Sequence, residues 1–324
     1  MFTSRSFHLL TVIALLVITA CASQTEPVTP TMTSTAKISA TPTLITTSTV
    51  FDGRLLFSRF VEASHTFTGM FLAQTDGSTE TSIPLPGPEG GGRWSRDGQE
   101  IAIMTILADG RVGTAIIAPD GIVLRTFEIP HPTLNLVCFV WTRDDARLAC
   151  QGWDDANRSL NGIYTVRSSD GGDLQRLTNA PDGKNDEPGD FSPDGQLVFI
   201  RVNGGEPPGF LMLVNGSGGE PSLLTKGLVG DTGRFAPDGL SVITSSNGSL
   251  LVIGLDGNVL HKISIDGHIA FGPVWSPDGT RIAFSMDEGS YHADIYTSLP
   301  DGSDLQQVTK TAENEITVDW GGWQ

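Results

Sequence analysis

The chain has 324 residues, 38 of them Gly and 19 Pro, with 18% charged residues and a formal net charge of −17. So much Gly without a Gly-X-Y period excludes collagen and disfavours a helical bundle, because each Gly costs about 1 kcal/mol inside a helix. A hydrophobic share of 39%, with 15 Phe and 6 Trp, excludes a wholly disordered chain, and the acidic balance lacks the basic footprint that nucleic acid requires.

A turn-rich all-β protein is the class that remains. In chain order, residues 1–20 hold Arg5 and then an apolar run from Leu9 to Ala20, too short for a typical spanning helix. The run ends in Ile18-Thr-Ala-Cys21, which resembles the lipobox of bacterial lipoproteins. That resemblance implies a signal peptide over 1–20, cleavage before Cys21 and acylation of its thiol. Acyl chains contribute about 0.8 kcal/mol per buried CH₂, so two or three of them anchor a protein firmly. Residues 21–49 are rich in Thr, Ser and Pro with no apolar period. Such a segment buries too little surface to order itself, and is expected to be a tether reaching roughly 30 Å from the bilayer.

From residue 50 onward one pattern recurs: an aromatic, a tight turn and an apolar strand. Its instances begin Trp94-Ser-Arg-Asp-Gly, Trp141-Thr-Arg-Asp-Asp, Phe191-Ser-Pro-Asp-Gly, Phe235-Ala-Pro-Asp-Gly and Trp275-Ser-Pro-Asp-Gly. The spacing of roughly 40–50 residues is that of repeat architectures. A second marker follows within each repeat, an apolar strand running into a Gly turn, as in Ile163-Tyr-Thr-Val-Arg-Ser-Ser-Asp-Gly and Ile295-Tyr-Thr-Ser-Leu-Pro-Asp-Gly. Several of these then end in Leu-Thr or Val-Thr, at Leu177-Thr178, Leu224-Thr225 and Val308-Thr309.

Asp-Gly between short strands is a strong hairpin signal, since Gly accepts positive φ and Asp bonds the local backbone. Two hairpins per repeat make four antiparallel strands. The second strand is apolar on both faces, as in Leu197-Val-Phe-Ile, which suits sheets stacked around an axis. The ends set the count. Phe51-Asp-Gly-Arg-Leu-Leu-Phe57 lacks a first strand, and Thr317-Val-Asp-Trp320 is a first strand in phase with the repeat. The expectation is therefore a six-bladed β-propeller over 50–324, with four-stranded antiparallel blades. The C-terminal strand should join the N-terminal blade and remove the free edges.

Trp275-Ser-Pro-Asp-Gly-x-x-Ile-Ala-Phe followed by Asp-Ile-Tyr and Asp-Gly-Ser resembles the propeller repeat of the TolB family. Related repeats occur in prolyl oligopeptidase-like peptidases and in some polysaccharide lyases. The resemblance covers nearly all of residues 51–324. Blade 3 departs from it with Asp145 in place of Gly, and blade 5 lacks the aromatic before its outer turn. TolB proper carries an N-terminal α/β domain where this chain has the Thr-rich segment. The resemblance implies a fold and a habit of binding or scaffolding, not a reaction.

The residues offer little catalytic chemistry. The chain has no Gly-x-Ser-x-Gly elbow, no His-Glu-x-x-His and no P-loop. Of six His, only His268 lies just before an innermost strand. The segments entering the innermost strands are acidic: Asp186 and Glu187, Asp231, Glu313 and Glu315, with Glu89 and Asn135 as equivalents in the remaining blades. They are expected to ring the channel mouth and to face a cation or the basic end of a peptide. Cys138 and Cys150 lie symmetrically about a hairpin, so they face each other as a disulfide or as two buried thiols. The reading is a monomeric, non-catalytic envelope lipoprotein that needs no cofactor and binds a protein or peptide partner. A lyase-like or glycan-binding propeller is the alternative, and three or more His or Arg converging on the channel would favour it.

Overall fold

A computed structural model describes residues 35–38, 43–44, 53–61, 66–87, 91–204, 206–287 and 292–321. Six sheets follow one another around a ring, each with four antiparallel strands in order from the axis outward. Blade 2 is Gly92–Trp94, Ile101–Ile106, Val112–Ile117 and Val123–Thr126. Blade 3 is Asn135–Trp141, Arg147–Trp153, Gly162–Arg167 and Gln175–Arg176. Blade 4 is Lys184–Phe191, Gln196–Asn203, Glu206–Asn215 and Ser222–Leu223. Blade 5 is Arg234–Phe235, Ser241–Ser246, Ser249–Gly254 and Val259–Ile265, and blade 6 is Ile269–Trp275, Ile282–Asp287, Ala293–Ser298 and Gln306–Gln307.

Blade 1 closes the ring. Its innermost strand is the C-terminal Asn314–Gly321, which pairs antiparallel with Arg54–Val61; Thr66–Gln74 and Thr81–Ile83 lie outside it. The six-bladed, C-terminally closed propeller expected from the repeat is the observed fold.

Packing between blades holds the ring. Six apolar clusters fill the six junctions, and the aromatic that opens each repeat sits in the junction with the preceding blade. Trp320 illustrates the closure: 1% exposed, it packs with Leu55 and Phe57 of its own blade and Val274, Ala283 and Ile295 of blade 6.

In blades 2, 4 and 6 the turn after the aromatic is set by a Ser. In blade 2 the Ser95 hydroxyl donates to Asp97 at 2.6 Å and accepts the Glu100 N–H at 2.9 Å, and Ser276 repeats this in blade 6. In blade 3, Asp145 replaces the usual Gly and still takes positive φ, at 54°. Its carboxylate accepts the backbone N–H groups of Arg96 and Asp97, which joins this turn to that of blade 2.

Two pieces of the Thr-rich segment depart from the expected absence of structure. Thr35–Ile38 runs parallel to the outermost strand of blade 5, and Thr43–Leu44 runs parallel to that of blade 6. An outermost strand presents unpaired N–H and C=O groups, and β-branched Thr suits an added strand.

Candidate functional site

The innermost strands surround a central cavity of about 800 Å³, to which all six blades contribute. Phe60, Met104, Phe139, Ile200, Val229 and Phe271 supply one apolar side chain from each blade region in turn. The cavity reaches the face where the innermost strands begin, beside Asn247, Gly248 and Ile269, and extends inward to Arg93 and Arg234.

Of the expected acidic ring, two members line this channel: Glu187 and Asp231. Glu187 accepts from Gln151, and burial pushes its pKa up to about 7 against that bond, with Asp186 adding to the rise. Asp231 accepts the Gly272 N–H at 2.9 Å. Burial raises its pKa too, although Ser245, that N–H and Arg234 pull the other way.

The remaining expected residues serve the walls. Asp186 is fully buried and takes two bonds from Arg201, at 2.6 and 2.8 Å, and one from Thr178. Glu315 is fully buried against Arg59, with Nε–Oε1 at 2.9 Å, and Arg59 also reaches Glu80. Both pairs are direct register partners across the two inner strands of their blades. Side chains alternate between faces along a strand, so Asp186 and Glu187 diverge. Glu313 lies 3.8 Å from Arg59. Asn135 accepts the Val112 N–H at 3.0 Å, and His268 Nδ1 lies 3.3 Å from the Asp287 carbonyl. Glu89 and Cys21 lie outside the described residues. Cys138 and Cys150 are register partners in blade 3, with their sulfurs 2.10 Å apart.

The inner end of the channel holds residues that the sequence reading passed over. The residue immediately before each repeat's aromatic is, from blade 1 to blade 6, Asp319, Arg93, Val140, Asp190, Arg234 and Val274. Each Asp accepts the backbone N–H of the next blade's aromatic: Asp319 from Trp94 at 3.0 Å, Asp190 from Phe235 at 3.1 Å. Each Arg reaches two blades ahead to a carbonyl: Arg93 to Gly189, and Arg234 to Val318 at 2.7 Å. Arg96 pairs with Asp190. Burial alone would raise the Asp190 pKa, but Arg96, Arg143, Arg234 and Arg93 outweigh it and hold the carboxyl below its ordinary value. The signal for this end was present in the order Asp, Arg, Val, Asp, Arg, Val beside the aromatics. Among the described residues no group of His, Cys, Asp and Glu is arranged to hold a metal ion.

No family model matches the chain. A stretch of 51 residues, 16% of the chain, is 39% identical to part of the Tol-Pal system protein TolB of Anaeromyxobacter dehalogenans and spans 12% of that relative's length. Among solved structures the chain is similar to TolB from Acinetobacter baumannii, at TM-score 0.63 and 17% identity, over 84% of this chain and 67% of that one. It is also similar to Kuenenia stuttgartiensis hydrazine synthase, at TM-score 0.61 and 12% identity, over 86% of this chain and 48% of that one. At such identities the two structures speak for the fold alone. Repeat motif and ring closure identify a six-bladed β-propeller, and these similarities show that its fold is like that of TolB.

Proposed function

We propose that this propeller is a non-catalytic binding module of the bacterial cell envelope that takes a protein or peptide partner into its channel. The observation that carries the reading is the channel itself, apolar around its circumference and marked by two carboxyl groups on the side of blades 4 and 5. Apolar walls with a few placed polar groups are the usual makeup of a binding cleft. The partial similarity to a Tol-Pal system protein supports the envelope setting. In this reading Cys21 is lipidated, residues 1–20 are removed and residues 21–49 connect the ring to a membrane. Loss of labelling by a palmitate analogue in Cys21→Ala, with the wild type labelled, tests the anchor.

A photocrosslinking amino acid at Phe139 inside the channel, and another at Leu240 on the exposed rim, tests the binding face in cells. A protein adduct formed from Phe139 and not from Leu240 is expected. Adducts from neither position, or equally from both, would overturn the reading. The lyase-like alternative called for three or more His or Arg on the channel. The described lining holds two Arg and no His.

A further inference from the structure

Several arginines of the two inner strands and their turns are paired with carboxylates, and Arg93 at the channel is not among them. Arg59 has Glu315 and Glu80, Arg201 has Asp186, Arg96 has Asp190, and Arg234 has Asp319 at 3.5 Å. Among the described residues no carboxylate lies within ion-pair distance of Arg93. Among the described residues its guanidinium makes one hydrogen bond, from Nη1 to the Gly189 carbonyl of blade 4, and the side chain lines the channel. A guanidinium carries five N–H donors in a planar fork that matches a carboxylate. Arg234 lines the channel as well, and its bonds to Val318 and Asp319 leave donors unused.

We propose that Arg93, with Arg234 beside it, forms a carboxylate subsite at the inner end of the channel, and that the ligand is an apolar body ending in a carboxylate. The proposal rests on the reading that the channel is the binding face. The charge balance agrees. Burial, and next the repulsion from Arg234, hold the Arg93 pKa well below the ordinary arginine value, although the more distant Asp319 and Asp190 act the other way. An arriving anion relieves both, and a charge-assisted bidentate pair made away from bulk water is among the stronger polar contacts. The apolar wall above, from Phe139, Ile200 and Phe271, suits the remainder of such a ligand. A peptide ending in a free C-terminus and a medium-chain fatty acid both have this chemistry.

Calorimetric titration of the full chain with two matched pairs tests the subsite: decanoate against decanol, and an apolar hexapeptide as free acid against its C-terminal amide. At least one acid should bind tenfold or more tighter than its neutral partner. Tighter binding of the peptide acid assigns the carboxylate to a polypeptide end; tighter binding of decanoate assigns it to a lipid-like acid. Arg93→Met should shrink the acid's advantage over its neutral partner by at least fivefold, with Arg234 alone left to hold the carboxylate. Equal binding of acid and neutral forms by the wild type, an undiminished preference in Arg93→Met, or binding of none of the four overturns the subsite. The wild-type comparison needs no variant to fold. A Phe139 adduct in cells together with equal acid and neutral binding would sink the subsite and leave the channel reading standing.

Discussion

Glu187 and its neighbour Asp186 show how one position decides a carboxyl's fate. Asp186 turns into the blade and meets Arg201; Glu187 turns into the channel and meets Gln151, and no cation among the described residues pairs with it. Its pKa is pushed up to about 7, so folding favours the protonated form. Stability from this group is fully present below the unfolded value near 4.5 and is lost as pH rises toward 7. Glu187→Gln should therefore raise the melting temperature at pH 8, by about 1–2 kcal/mol of stability after allowing for water in the channel, and leave it nearly unchanged at pH 4. Thermal melts at the two pH values check the difference. Asp186→Ala should act in the opposite sense at neutral pH. It strands a largely buried guanidinium, and breaking a buried pair on one side costs roughly 3–5 kcal/mol, readable as a lower urea midpoint.

Within a blade, the apolar strand of the second sequence marker and its Leu-Thr or Val-Thr ending meet in one contact. The Thr of the Leu-Thr ending accepts a backbone N–H of its own blade's third strand, as Thr225 does from Leu211 and Thr309 from Ile295, each at 2.9–3.0 Å. The neighbouring carbonyl supports the outer turn of the next blade. Gly257 of blade 5 stands over the Leu224 carbonyl of blade 4, where an added Cβ would come within 2.4 Å, and its φ is +77°. Gly257→Ala should cost about 2 kcal/mol or more, from backbone strain and a displaced blade contact together. Gly195, at φ +84°, has open space for a Cβ, so Gly195→Ala should cost only the strain, about 1–2 kcal/mol. Chemical denaturation of the two variants separates the contributions. These hairpins were legible in the sequence because Asp-Gly and the flanking apolar runs are local signals. The channel lining was not. Irregular register between Pro188 and Asp190, and between Thr317 and Asp319, shifts the parity of the innermost strand, so counting back from the aromatic does not tell which acid faces inward.

Across the whole molecule, closure depends on the last strand. Asn314–Gly321 supplies Glu315 to Arg59, Asp319 to the Trp94 N–H, and Trp320 to the junction with blade 6. A chain stopped before Asn314 leaves Arg59 without its buried partner and a sheet edge open, and should lose its single cooperative unfolding transition. Calorimetry of the shortened chain against the full one checks this. The count of six was legible because Trp320 keeps phase with the repeat. Blade 3 adds a covalent tie that the sequence left open between bonded and free thiols. With Cys138 and Cys150 bonded, denatured unreduced protein should show no free thiol from either residue. Reduction should then lower stability by up to about 3 kcal/mol for so short a loop.

The order Asp, Arg, Val, Asp, Arg, Val around the inner end repeats after three blades. Half a revolution about the axis therefore carries the struts of Arg93 and Asp319 onto those of Arg234 and Asp190. The repeat is one of residue type and of the main struts; the ion pairs differ, since Arg234 reaches Asp319 while Asp190 is held by Arg96. A second departure from the half-turn repeat lies higher, where Glu187 and Asp231 stand on one flank of the ring. For the proposed ligand, depth of entry would be set at the arginines and rotational sense at the acids, at different heights along one axis.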